Sequence, residues 1–184
     1  MTDTFNLPDI PDLSGVAEDT KPEPFADGWY GGTILEKREF TDQNGNERVF
    51  ESVDDVAQKS GRNIRLQIAL KRASDGRTLN TSALINYQPE DLSAETVKAV
   101  MTQKDKVKEG EQWGTMFRPF MTLQRLGKLQ RIAGVKALSR NGNGGLDLHP
   151  LYNKRAYFKI APDNRNPQYK QIVDFREDAP KNLL

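Results

Sequence analysis

Residues 63–72 read NIRLQIALKR. Ile64, Leu66, Ile68 and Leu70 fall on one side of an extended chain, and Arg65, Gln67, Ala69 and Lys71 on the other. A side-chain period of two belongs to a strand with one face in a core and the other in water. Asp75-Gly76 follows as a tight-turn pair, and RTLNTSALINY at 77–87 returns as the hairpin partner. The segment is thus read as an antiparallel β unit, and the rest of the chain is read outward from it.

Toward the N-terminus, a strand is expected over about Gly28 to Phe40, with Gly31 and Gly32 marking a bend, a bulge or a close backbone approach. DQNGNE at 42–47 reads as a hairpin turn with Asn44-Gly45 as a type I′ pair. Arg48 to Gly61 finishes a second strand and then forms either a loop or a short helical excursion. The first 24 residues hold four prolines and no sustained periodicity, so they are expected to form a flexible acidic arm. The folded body is expected over 25–176, and 177–184 form a short tail.

Toward the C-terminus, Ser93 is placed to cap a helix over AETVKAVMTQ at 94–103. KDKVKEGEQ at 104–112 reads as a charged connector. A second helix is expected over Pro119–Ala133, started by its proline and stopped by Gly134. Two strands close the chain, KRAYFKIAP at 154–162 and YKQIVDFRED at 169–178, split by the turn-rich DNRNPQ. Strands, then helices, then a closing hairpin predict a mostly β fold with helices: an OB-fold-like β-barrel with one or two helices inserted before that hairpin. The alternative is an α+β antiparallel sheet packed on helices.

The chain has 184 residues, 27 Lys and Arg against 26 Asp and Glu, a single His and no Cys. Disulfides, thiolate metal sites and His-rich zinc sites are therefore excluded. No stretch reaches the roughly 18 apolar residues of a membrane span, and the start is acidic instead of basic-then-apolar, so a cytoplasmic location is expected. The near-neutral total hides an asymmetry. Residues 1–28 carry seven acids and one base, net −6, whereas 29–184 carry 26 bases and 19 acids, net +7. A basic body with an acidic segment points to a polyanionic partner.

DGWYGGTILEKREF at 27–40, GRNIRLQIAL at 61–70, LQRLGKLQRIAGV at 123–135, LDLHPLYNKRAYFKIAP at 146–162 and YKQIVDF at 169–175 together resemble phage-encoded single-stranded-DNA-binding proteins of the OB-fold type. The resemblance spans about residues 25–176 and rests on element order and spacing. It implies non-catalytic binding of single-stranded DNA with little sequence preference, in phage DNA replication or recombination in the host cytoplasm. Two departures stand out. The 55–61 insertion and the 104–118 connector enlarge the body, and the chain closes on DAPKNLL where many proteins of this type carry an acidic tail with a terminal Phe.

Such binding needs exposed rings for base stacking, interleaved with bases that follow the phosphates. Arg155, Tyr157 and Lys159 share one strand face, opposite Ala156, Phe158 and Ile160. Arg65, Gln67 and Lys71 lie opposite the apolar set of their own strand. Trp29 and Tyr30 alternate, one ring inward and one outward, beside the two glycines. Trp113 is expected to cap the barrel bottom, and Arg125, Lys128 and Arg131 to form a solvated helix stripe. Catalytic chemistry finds no support. The pairs Asp54-Asp55, Glu90-Asp91 and Glu177-Asp178 make no metal spacing with His149, there is no phosphate loop, and no triad is legible. No cofactor is expected. The competing class is a protein-protein adaptor of similar barrel. Its acidic arm, with FNLPDIPDL at 5–13 as a short recruitment peptide, or its basic face would then dock a replication or virion component; for a DNA binder, the acidic arm is expected to contact a replication or recombination protein.

Overall fold

A computed structural model describes residues 23–57 and 61–184, so nearly all of the expected arm lies outside the described residues. Ten elements follow in order: β1 (Gly28–Leu35), β2 (Lys37–Thr41), β3 (Glu47–Glu51), β4 (Val53–Val56), β5 (Arg62–Lys71), β6 (Thr78–Tyr87), α1 (Ala94–Lys108), α2 (Phe117–Ala133), β7 (Arg155–Pro162) and β8 (Lys170–Arg176). β5 carries the alternation into three dimensions. Ile64, Leu66, Ile68 and Leu70 are fully enclosed, and each contributes about 1.5–3 kcal/mol by leaving water. Ile34 of β1, Ile85 of β6, Phe158 and Ile160 of β7, and Leu126 and Leu129 of α2 complete this core.

β5 has three neighbours. β6 runs antiparallel along one whole edge, Arg62 opposite Tyr87 through Lys71 opposite Thr78. The other edge is shared in tandem by β4, which pairs with Arg62–Arg65, and β1, which pairs with Gln67–Lys71. β1 then pairs with β7, and β7 with β8 across an irregularity at Lys159/Ile160. The sheet rolls until its terminal strands β6 and β8 lie against each other, but no ladder joins them. The architecture is therefore antiparallel sheets with two helices, and the expected closed barrel is not formed. A groove of about 320 Å³ between Ile85 and Asn86 on one side and Gln171 and Val173 on the other takes the place of a ladder.

α2 bridges this seam. Lys128 Nζ donates to Asp174 of β8 at 2.5 Å, Arg131 Nε donates to Glu177 at 2.5 Å, and Arg125 lines the groove. Lys128 and Arg131 thus tie the helix to the end of the sheet; of the solvated stripe expected of the three, Arg131 remains exposed while Arg125 and Lys128 are half-buried. Ser93 caps α1 as expected, its Oγ accepting from Thr96 N at 3.1 Å. The helix continues five residues beyond Gln103, because KDKVK contains no breaker before Gly110, where φ reaches +109°. α2 starts at Phe117 after a 3-10 turn and stops at Gly134, left-handed at φ 73°. Trp113 stacks on Phe120 with ring centroids 3.9 Å apart.

The expected strand over Gly28–Phe40 breaks at Glu36, whose carbonyl accepts from Ser52 N at 2.7 Å. Beyond the break, β2 pairs only with β3, as a separate two-stranded hairpin. Its turn is not type I′. Gly45 alone has positive φ, +81°, and the Asp42 carboxylate accepts from the amides of Asn44 and Asn46. That side chain fixes a three-residue loop closed by a left-handed glycine.

Candidate nucleic-acid interface

Residues opposite each other on neighbouring strands share a face. Gly31 lies opposite Lys71 on one side and Tyr157 on the other, and Tyr157 lies opposite Arg176. Lys71, Gly31, Tyr157 and Arg176 thus form one row across the outer face of β5, β1, β7 and β8. In the adjacent rows Thr33 stands between Ala69 and Arg155, and Trp29 stands beside Lys159. The Tyr157 ring lies beside Gly31: a Cβ there would sit 3.9 Å from Tyr157 Cε1, an ordinary contact. An open cleft of about 350 Å³ results, lined by Lys71, Arg155 and Tyr157 over a floor of Gly31, Thr33 and Ala69. Lys71, Arg155 and Lys159 are exposed, and Tyr157 is half-buried. Trp29 is half-buried, with the Arg176 guanidinium 4.3 Å from its ring centroid, a cation–π pair.

Of the eight residues expected to bind, Lys71, Arg155 and Tyr157 line this cleft, and Trp29 and Lys159 flank it. Arg65 is exposed but six positions along β5, in a different cleft. Two expectations are corrected. Tyr30 is 1% exposed: its ring packs on Phe25, centroids 5.1 Å apart, and its hydroxyl donates to Ala26 O at 2.9 Å. Trp29 faces outward and Tyr30 faces into the core, where burial pushes the phenol pKa up against the lowering effect of Arg72. Gln67 does point away from the core of its strand, yet it too is 1% exposed. The corner between β3 and β4 covers it, with Gln67 N donating to Ser52 Oγ at 2.8 Å. Its Oε1 has no hydrogen-bond partner among the described residues.

Three features escaped the sequence reading. Arg176 joins the site only through the register of β7 and β8. The end of the chain, expected as a tail, lies on the sheet: Leu184 N donates to Trp29 O at 2.8 Å, and Leu183 and Leu184 wall one end of the cleft. Leu184 fills the space above Gly28, where a Cβ would stand 2.4 Å from its Cδ1. The β2–β3 hairpin stacks Phe40 on Phe50 at 5.2 Å, with the Arg38 guanidinium over both rings. A hairpin centred on Asn44-Gly45 makes Phe40 and Phe50 near neighbours, so that pair was within reach of the sequence.

Next to Lys71, Arg72 is clamped. Asp75 accepts from its Nε at 2.9 Å and its Nη2 at 2.5 Å, and Arg72 holds the Asp75 carboxyl down to about 2. Its Nη1 donates to the carbonyls of Glu23 and Pro24 at 3.1 and 3.3 Å. Glu23 and Pro24 are thereby held at the end of β5 on the face opposite Lys71, where Phe25 packs on Tyr30 and under the Arg72 guanidinium.

Among the described residues no three or more His, Cys, Asp or Glu gather in a way that could hold a metal ion, and no helix is long and apolar enough to cross a membrane. Compared with known proteins, the chain matches no family, no curated sequence and no solved structure.

Proposed function

We propose that the protein binds single-stranded DNA, without catalysis and with little sequence preference, across the outer face of β5, β1 and β7. The observation that carries this reading is the cleft in which Tyr157 lies over Gly31 between Lys71 and Arg155, with Trp29 and Lys159 beside it. A base stacked on such a ring gains about 1–3 kcal/mol, and the flanking cations neutralise phosphates. The strand order β6-β5-β1-β7-β8, with both helices inserted between β6 and β7, supports an OB-type barrel left open at the β6/β8 seam. The resemblance to phage proteins is the ground for proposing a role in DNA replication or recombination in the host cytoplasm. In this reading the acidic N-terminal segment contacts a partner of that machinery.

Fluorescence anisotropy with labelled oligo-dT at two salt concentrations tests the proposal. Log affinity is expected to fall with log salt at about −0.7 per phosphate contact, and duplex DNA of equal length is expected to bind more weakly. Tyr157→Ala is expected to cost about 1–3 kcal/mol of binding with the fold intact. Equal or tighter duplex binding overturns the assignment.

A further inference from the structure

A second cleft, of about 660 Å³, lies at the opposite end of β5 from Tyr157, between β4, the end of β6 and the start of α2. Arg65 and Arg118 line it, together with the amides of Asn63, Asn86 and Gln88. We infer that this cleft is a second subsite for the same nucleic-acid strand, taking a phosphate between Arg65 and Arg118 and a base against the amide side chains. The inference rests on the single-strand reading above.

Placement is the first argument. Arg65 and Lys71 project from the same face of β5, six residues apart, which is about 20 Å along a strand. One extended oligonucleotide thus spans both clefts within the ~4–16 nucleotides typical of one OB-type domain. Between the clefts stands the β2–β3 hairpin over Gln67. Its Phe40 and Phe50 rings are 39% and 38% exposed, which offers a sequence-tolerant stacking surface on that hairpin.

Unspent hydrogen-bonding capacity is the second argument. The third guanidinium at this cleft, Arg62, is consumed: its Nε donates to buried Asp54 at 3.1 Å and its Nη2 to the Asp54 carbonyl at 2.6 Å. Arg65 makes no side-chain hydrogen bond or ion pair among the described residues, and it is exposed. Arg118 gives only Nη2, at 3.0 Å, to Asp91, while its side chain is 68% exposed. Asp91 is 1% exposed and also accepts from Thr122 Oγ1 at 3.2 Å and Gln88 N at 3.2 Å, so it holds Arg118 in place at the cleft wall. A guanidinium fixed by one nitrogen and open at the others is arranged to take a phosphate oxygen. Asn63, Asn86 and Gln88 each carry a donor and an acceptor suited to base edges, and Leu84, 53% exposed, offers an apolar surface beside them. Asp55 on the rim repels phosphate there and accepts from a base amino group, which leaves the strand backbone on the Arg65–Arg118 side.

The test compares labelled oligo-dT of about 3 and about 20 nucleotides on the full chain, the shorter unable to bridge about 20 Å and the longer able to fill both clefts. Arg65→Ala and Arg118→Ala, combined, are expected to weaken the long oligonucleotide roughly tenfold and flatten its salt slope by about 0.7, one phosphate contact, with the short one unchanged. Arg65→Ala alone, at an exposed side chain, keeps the test valid if loss of Arg118 disturbs Asp91; it is expected to remove about half of that slope. Unchanged binding of the long oligonucleotide, or equal loss on both lengths, overturns the second subsite while the Tyr157 site stands. Failure of the unmutated protein to bind either oligonucleotide overturns the single-strand reading itself, and this inference with it.

Discussion

On its inner face β5 presents Ile64, Leu66, Ile68 and Leu70 to a core that encloses all four, whereas on its outer face Arg65 and Lys71 stand in water with Gln67 enclosed between them. The inner face is uniform because one physical rule decides it: apolar side chains on a single side of a pleated strand have a common partner in the core. The outer face is a mosaic because distant elements decide it. The β3–β4 corner roofs Gln67, β7 builds the wall beside Lys71, and the start of α2 builds the wall beside Arg65.

The largest effect tests the inner rule. Leu66→Ala removes an enclosed side chain at the centre of β5 and is expected to cost about 2–5 kcal/mol in denaturant unfolding. A loss under about 1 kcal/mol would mean that the core collapses around the site easily and that β5 is not its centre.

Two adjacent glycines sharpen the contrast at intermediate size. Gly32 faces inward, and a Cβ there would stand 2.9 Å from Leu70 Cδ2, 3.0 Å from Phe158 Cδ2 and 3.1 Å from Ala69 O. Gly32→Ala is therefore expected to destabilise by about 1–3 kcal/mol through overpacking. Gly31→Ala meets only Tyr157, at ordinary contact distance, and is expected to leave the thermal midpoint unchanged or slightly raised. Similar losses from both substitutions would contradict the inward and outward assignment of β1.

The smallest effect concerns the enclosed polar residue. Gln67 Oε1 is buried without a hydrogen-bond partner among the described residues, and Nε2 reaches Glu51 O only at 3.5 Å. Gln67→Met keeps the volume and removes the unsatisfied acceptor, so it is expected to stabilise the protein by up to about 1 kcal/mol. Clear destabilisation in a thermal melt would show that the amide has a partner essential to seating the hairpin.

These contrasts mark what was legible in the sequence. The alternation over 63–72, the Asp75-Gly76 turn, the Ser93 cap and the Gly134 stop each depend on residues close in the chain, and each appears in the structure where its local chemistry puts it. The pairing of Arg155, Tyr157 and Lys159 on one outward face follows in the same way from strand parity. The break at Glu36 was hidden, because it is held by Ser52 from the corner between β3 and β4. Burial of Gln67 was hidden for the same reason. Parity left open which of Trp29 and Tyr30 points inward, and the core contacts of Tyr30 settled it. Two of the misplaced site residues thus fail in opposite senses, Tyr30 by belonging to the core and Gln67 by being covered from outside.

The threefold pairing of β5 also has a kinetic consequence. Its contact with β6 closes across only Arg72–Arg77, so this hairpin can form within microseconds of collapse. β1 must find β7 across both helices, pairing Thr33 with Arg155, and that closure carries the larger entropic cost. Since β1 docks on the edge of β5, the early hairpin is the template on which the late strand lands. The row that carries Tyr157 is therefore assembled in the last steps of folding, and a chain stalled before them would own a core hairpin and no binding face.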